Sequence, residues 1–110
     1  MARSSMIERV NELLFTHTEI ESFTWMRSGY AYDGKVRLRG TGLVVLKIRQ
    51  FSALTAVDLD IGQMRLQVVD VRAEQHDRVN YEIILPESDC SLLRCQSMIL
   101  TAGSERLDLQ

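Results

Sequence analysis

Apolar residues recur three and four positions apart near the start of the chain, and at every second position through much of the remainder. Ile7, Val10, Leu13, Leu14 and His17 fall on one helical stripe, while Glu8, Arg9, Asn11 and Glu12 face elsewhere. The spacing predicts an amphipathic helix over Ser5–His17. Ser5-Met6-Ile7-Glu8 fits a capping box, in which the Ser5 hydroxyl takes a free amide of the first turn and Glu8 reaches back. His17, on the same stripe, is expected to be part-buried at the helix end, where a cationic imidazole would suit the negative dipole.

The period then changes to two. Ile20–Met26 reads as a strand, with Phe23, Thr24 and Trp25 at its centre, and Leu43–Phe51 as another. Thr55–Ile61 alternates Val57, Leu59 and Ile61 with Asp58 and Asp60, the pattern of a half-buried strand. Gly62-Gln63 can turn into Met64–Arg72. There the apolar phase slips from Met64, Leu66 and Val68 to Val69 and Val71, which predicts a bulge near Val68-Val69. A polar loop at Glu74–Arg78 precedes a strand carrying Val79, Tyr81, Ile83 and Leu85 on one face and ended by Pro86.

Leu92–Leu100 fits two patterns. Leu92, Cys95, Met98 and Ile99 suit a helix capped by Asp89, whereas Leu93, Cys95, Ser97 and Ile99 suit a strand. The tail, Ala102–Gln110, reads as a loop and a short edge strand. Asp33-Gly34 and Gly40-Thr41-Gly42 are hairpin turn signals. The expected fold is α+β: an N-terminal amphipathic helix with a mainly antiparallel six-stranded sheet or small β-barrel.

Charge singles out one stretch. Residues 25–51 carry six basic side chains against one acid, Asp33, although the whole chain has a net charge of -2. Four of the six glycines lie in the same window. A three-residue loop at Gly40–Gly42 sets Arg39 opposite Leu43, Arg37 opposite Val45 and Lys35 opposite Lys47. Side chains alternate along strands, so one face shows Lys35, Arg37, Arg39, Lys47 and Arg49 with Val45. The other shows Val36, Leu38, Val44, Leu46 and Ile48. The apolar face seeks a core. The basic face either guards an edge, is neutralised by Asp58, Asp60 or an acidic partner, or contacts an anion. Lys35 opposite Lys47 is unfavourable unless something negative sits nearby.

The totals limit the alternatives. A chain of 110 residues, 45% hydrophobic and 25% charged, suits one globular domain spanning 1–110. No stretch reaches the roughly 18 apolar residues of a membrane span. Met1–Asn11 lacks the apolar centre of a signal peptide, so a cytoplasmic address is expected. Cys90 and Cys95 have no neighbouring histidine, and His17 and His76 lie far off in sequence. Reduced structural cysteines and no metal or cofactor are expected. No nucleophile elbow, Walker loop, zinc-protease or dinucleotide signature is present. Asp58 and Asp60, two apart, could pair as carboxylates on a strand face, but a solvated face is the favoured account of them; an enzyme is not expected, and a small enzyme or accessory subunit using this pair is the alternative.

Two binding readings remain. In the first, the chain is a non-catalytic regulatory or adaptor domain working through a protein partner or self-association. Phe15, Phe23 and Trp25 are then the interface candidates, because interface centres are poor in charge. In the second, the basic hairpin binds a nucleotide or single-stranded nucleic acid, and Trp25, Tyr30 and Tyr32 offer stacking surfaces.

Asp58-Leu59-Asp60-Ile61-Gly62-Gln63-Met64-Arg65-Leu66 resembles the second motif of PilZ domains, D-x-S-x-x-G. Asp77–Pro86 is similar to the family's following strand, and Leu93–Gln96 to the one after. The resemblance covers roughly Lys35–Thr101. It implies a degenerate member, since Asp60 stands at the serine position, Gly62 falls one place early, and Arg37 and Arg39 replace the family's wider-spaced arginine pair. It further implies a six-stranded β-barrel that binds cyclic di-GMP or, when degenerate, serves as an adaptor.

Overall fold

The structure, a computed structural model, describes residues 3–51, 62–72, 79–87 and 90–110. One helix, α1 (Arg3–Thr16), precedes eight strands: β1 (Glu19–Ser28), β2 (Ala31–Arg39), β3 (Leu43–Phe51), β4 (Gly62–Gln63), β5 (Gln67–Asp70), β6 (Tyr81–Leu85), β7 (Cys90–Ala102) and β8 (Glu105–Leu109). The described strands form one antiparallel sheet in the order β4-β1-β2-β3-β7-β6-β5, curled into a half-barrel. Strand β8 also pairs with β7. The expected count of six strands is therefore too low. One reason is β7, whose thirteen residues serve three neighbours: residues 95–102 pair with β3, residues 90–95 with β6, and residues 98–102 with β8.

The helix forms where the periodicity places it but begins earlier. Ser5 lies inside its first turn and is not the cap, so the capping box does not form. Val10 and Leu14 are fully buried and Leu13 nearly so. They plug the concave side of the sheet, against a core that includes Val36, Leu38, Val44, Leu46, Tyr81, Leu100 and Leu107. Two polar clamps hold the helix. The Asn11 amide donates to the Val68 carbonyl at 3.0 Å and accepts from the Val68 amide at 2.8 Å, which occupies the free edge of β5. Arg9 donates two parallel bonds of 2.9 Å to the Glu105 carboxylate on β8 and a third to Glu12. His17 ends the helix from inside, its Nδ1 donating to the Leu13 carbonyl at 2.8 Å.

Gly40 packs against that helix end. A Cβ there would lie 2.0 Å from the Thr16 carbonyl oxygen and 2.9 Å from the His17 Cα, so only glycine allows this approach. The Gly40–Gly42 loop is the β2–β3 turn, and Arg39↔Leu43, Arg37↔Val45 and Lys35↔Lys47 are paired as the alternation requires.

Asp33-Gly34 is not a turn. Both residues lie within β2, and the β1–β2 hairpin turns at Gly29-Tyr30, with Ser28 opposite Ala31 and Gly29 at φ 67°. Gly34 is glycine for a packing reason: a Cβ would meet the Phe51 ring at 2.8 Å and the Phe23 ring at 3.0 Å. The bulge expected at Val68-Val69 is also absent. Strand β5 pairs in unbroken register with β6 up to Asp70, and Val71 turns inward while its amide donates to the Asn80 carbonyl at 3.0 Å.

Leu92–Leu100 is strand. Its double pattern arises from two phase slips. One is a register shift against β6 between Ile83 and Ile84, which lets Leu92 and Leu93 both be buried. The other mirrors Gln50 of β3, which adopts φ 56° with its amide held by the Asp33 carboxylate at 3.0 Å. Inward positions on β3 jump from Ile48 to Phe51, and on β7 from Met98 to Cys95. Two such slips turn a period of two into spacings of three, which imitates a helix. The strand expected at Thr55–Ile61, the Glu74–Arg78 loop and the Asp89 cap lie outside the described residues.

A basic face on the outside of the sheet

Because α1 and the core occupy the concave side, alternate residues of β1, β2, β3, β7 and β8 point outward between the register slips. Register lines these residues into rows across the strands. One row is Ser22, Arg37, Val45, Thr101 and Arg106. The next is Thr24, Lys35, Lys47, Ile99 and Asp108. A third sets Arg49 opposite Ser97. Lys35, Lys47 and Arg49 are exposed and Arg37 is half-buried.

The five basic residues of the hairpin thus share one face, but they are not equivalent. Arg39 is engaged: its Nε and Nη2 donate to the Glu21 carboxylate at 2.7 and 3.2 Å. The hydrogen bonds and charge of Arg39 hold the Glu21 carboxyl below its ordinary value. Among the described residues, no carboxylate lies within ion-pairing distance of Lys35, Arg37, Lys47 or Arg49. Two ammonium groups therefore face each other on neighbouring strands with an arginine on either side.

A depression of about 510 Å³ opens there, lined among others by Thr24, Trp25, Met26, Lys35, Lys47, Arg49 and Ile99. Asp33 also lines it, although its carboxylate already accepts the Gln50 amide. A second depression, of about 660 Å³, shares Arg49 and Ile99 with the first and continues to Asn80, Gln96, Arg106 and Gln110.

Of the three rings expected beside these cations, Trp25 lines the depression, whereas Tyr30 and Tyr32 do not. Trp25 pairs with Gly34 and meets Tyr32 edge-on at 5.1 Å between centroids. Tyr32 and Phe23 each pack against the buried Phe51, at 6.0 and 6.1 Å. Phe23 and Tyr32 thus pack against the core, whereas Trp25 is exposed. Tyr30 stands fully exposed at the β1–β2 turn. Besides Trp25, the outer face carries the aliphatic groups of Met26, Val45 and Ile99.

The interface candidates do not converge either. Phe15, 59% exposed, lies at the end of α1 with the Arg65 guanidinium 4.5 Å from its ring centroid. Trp25, 47% exposed, lies six residues along β1, roughly 20 Å at about 3.3 Å per residue. Phe23 is partly buried against the core.

Ile99, Ser97, Arg106 and Asp108 complete the face, and sequence reasoning missed them. They lie some fifty residues from the hairpin, and only the β3–β7–β8 register brings them there. Arg106, a cation on an alternating edge strand, was the one local signal.

Cys95 is fully buried, and desolvation pushes its thiol up to about 12. Among the described residues, no three His, Cys, Asp or Glu side chains converge as a metal site, and no helix is long and apolar enough to cross a membrane. Asp58 and Asp60 lie outside the described residues, and so does the start of the PilZ-like motif. No family model, curated protein or solved structure matches the chain.

Proposed function

We propose that this chain is a non-catalytic binding domain that acts through protein contacts, with the outer basic face as its docking surface for an acidic partner. The observation that carries the reading is the row in which Lys35 faces Lys47, flanked by Arg37 and Arg49, with no described carboxylate within ion-pairing distance of them. Like charges directly opposite on a sheet cost roughly 0.2–1 kcal/mol. An incoming anionic group removes that cost and gains charge-assisted hydrogen bonds.

An acidic protein surface is favoured over single-stranded nucleic acid, because stacking successive bases needs several rings beside the cations. Here Tyr32 packs against the core and Tyr30 stands out at the β1–β2 turn, so Trp25 is the one of the three rings at the depression, and Met26, Val45 and Ile99 occupy the rest of the face. The PilZ-like resemblance supplies a further ligand, cyclic di-GMP. Of the two arginines nearest the family's position, Arg39 is already paired with Glu21.

The test is an amide-resolved NMR titration with a ten-residue polyglutamate peptide, a single-stranded oligonucleotide and cyclic di-GMP, each at low and moderate salt. The reading expects saturable, salt-sensitive shifts from the peptide, centred on Lys35–Arg49 and Ile99. Shifts from the oligonucleotide or cyclic di-GMP alone would replace an acidic protein partner with a nucleotide one. Silence from all three would remove the docking face.

A further inference from the structure

The two depressions on the outer face are continuous through Arg49 and Ile99, and together they run across the strands from β1 to β8. Five strands at about 4.8 Å spacing give a length of roughly 19 Å. That matches about six residues of extended chain at roughly 3.3 Å each. We infer that the groove accommodates an extended acidic peptide segment of about six residues, laid across the strands, and not merely a single anionic group. This rests on the proposed docking face and specifies its occupant.

Chemistry differs along the groove in a way that suits a peptide. At the β2–β3 end, Lys35, Lys47 and Arg49 offer cations for acidic side chains. In the middle, Ile99, only partly buried, offers an aliphatic contact. At the β7–β8 end stand Gln96, Gln110, Arg106 and Asp108, donors and acceptors of the kind that match peptide amides, with the Asp108 carboxylate contacted by Gln110 and Arg106. Arg106 is exposed, and its link to Asp108 is a single long contact of 3.6 Å. A lone phosphate or carboxylate would use the first end only. An extended segment uses both, and the convex face leaves its termini free to continue into a larger partner.

The experiment is fluorescence anisotropy with labelled, end-capped peptides of alternating Glu and Val, three, six and nine residues long. The expected result is affinity that rises at least tenfold from three to six residues and then levels off. R106A should weaken the six-residue peptide several-fold and leave the three-residue peptide unchanged, while R49A weakens both. Circular dichroism and urea midpoints confirm that these exposed variants stay folded. Equal affinity for three and six residues, or indifference of the six-residue peptide to R106A, would overturn the groove while leaving a point-anion docking face intact. No binding at any length, or binding that K47A does not weaken, would overturn the docking face itself.

Discussion

Asn11 is the side chain whose loss should reveal how the helix is held. Its amide makes both a donor and an acceptor bond to the backbone of Val68, a residue only 1% exposed. Asn11→Ala removes two hydrogen bonds, each with a net worth of about 0.5–1.5 kcal/mol. It also strands a buried amide and a buried carbonyl, each costing about 1–3 kcal/mol when no replacement partner arrives. Partial access to water at this half-buried position offsets some of that cost, so a loss of about 2–4 kcal/mol is expected. At about 4 °C per kcal/mol for a chain of this size, Tm should fall by roughly 8–16 °C. Urea unfolding with an unchanged m value would assign the effect to the folded state. Asn11→Asp sharpens the test. Its carboxylate can accept from the Val68 amide but repels the Val68 carbonyl. The protonated carboxyl can donate there, so the folded state favours the neutral form and raises the pKa of the introduced group. Its deficit should therefore be largest near neutral pH and shrink as pH falls. A loss below about 0.5 kcal/mol for N11A, or a deficit in N11D that ignores pH, would refute the clamp.

Glycine and charge substitutions probe the rest. G40A should cost about 2 kcal/mol or more by urea titration, because its Cβ would collide with the Thr16 carbonyl. G42A, with nothing within 4 Å, should stay within about 0.5 kcal/mol of wild type. K47E should raise stability by roughly 0.3–1 kcal/mol, by replacing the Lys35–Lys47 repulsion with an attraction, while reducing acidic-peptide binding at least tenfold in the anisotropy assay. The Glu105 and Glu21 carboxyls are held below their ordinary value of 4.5 by Arg9 and Arg39. Their stabilising contribution is present above pH 4.5 and is lost as pH falls through the depressed values. Urea midpoints between pH 5 and 2 should decline less steeply for E105Q than for wild type. An identical slope would show that the Arg9–Glu105 pair contributes nothing.

The hairpin at Lys35–Arg49 was legible because two local facts suffice for it. Alternation assigns the faces, and a three-residue glycine loop sets the register, so Lys35 had to meet Lys47. Asp33-Gly34 misled because turn propensity is judged from neighbours in sequence. Gly34 answers to Phe23 and Phe51, eleven and seventeen residues away, whose rings occupy the space of its Cβ. Leu92–Leu100 resisted assignment because its apolar spacing records bends imposed by β3 and β6, and no single strand carries that information.

By itself the sequence determined the helix stripe, the alternation of β2 and β3, and the concentration of charge on their outer face. Each depends on the period of one element and on side chains within a few residues. Tertiary structure alone decided what that face borders. Strands β7 and β8 arrive from fifty residues away to set Ile99 and Arg106 beside the cations, Glu21 removes Arg39 from the free set, and Phe23 and Tyr32 turn toward the core while Trp25 stays at the depression. Those outcomes come from strand order and register, which depend on how all the apolar faces are buried together and not on any local pattern.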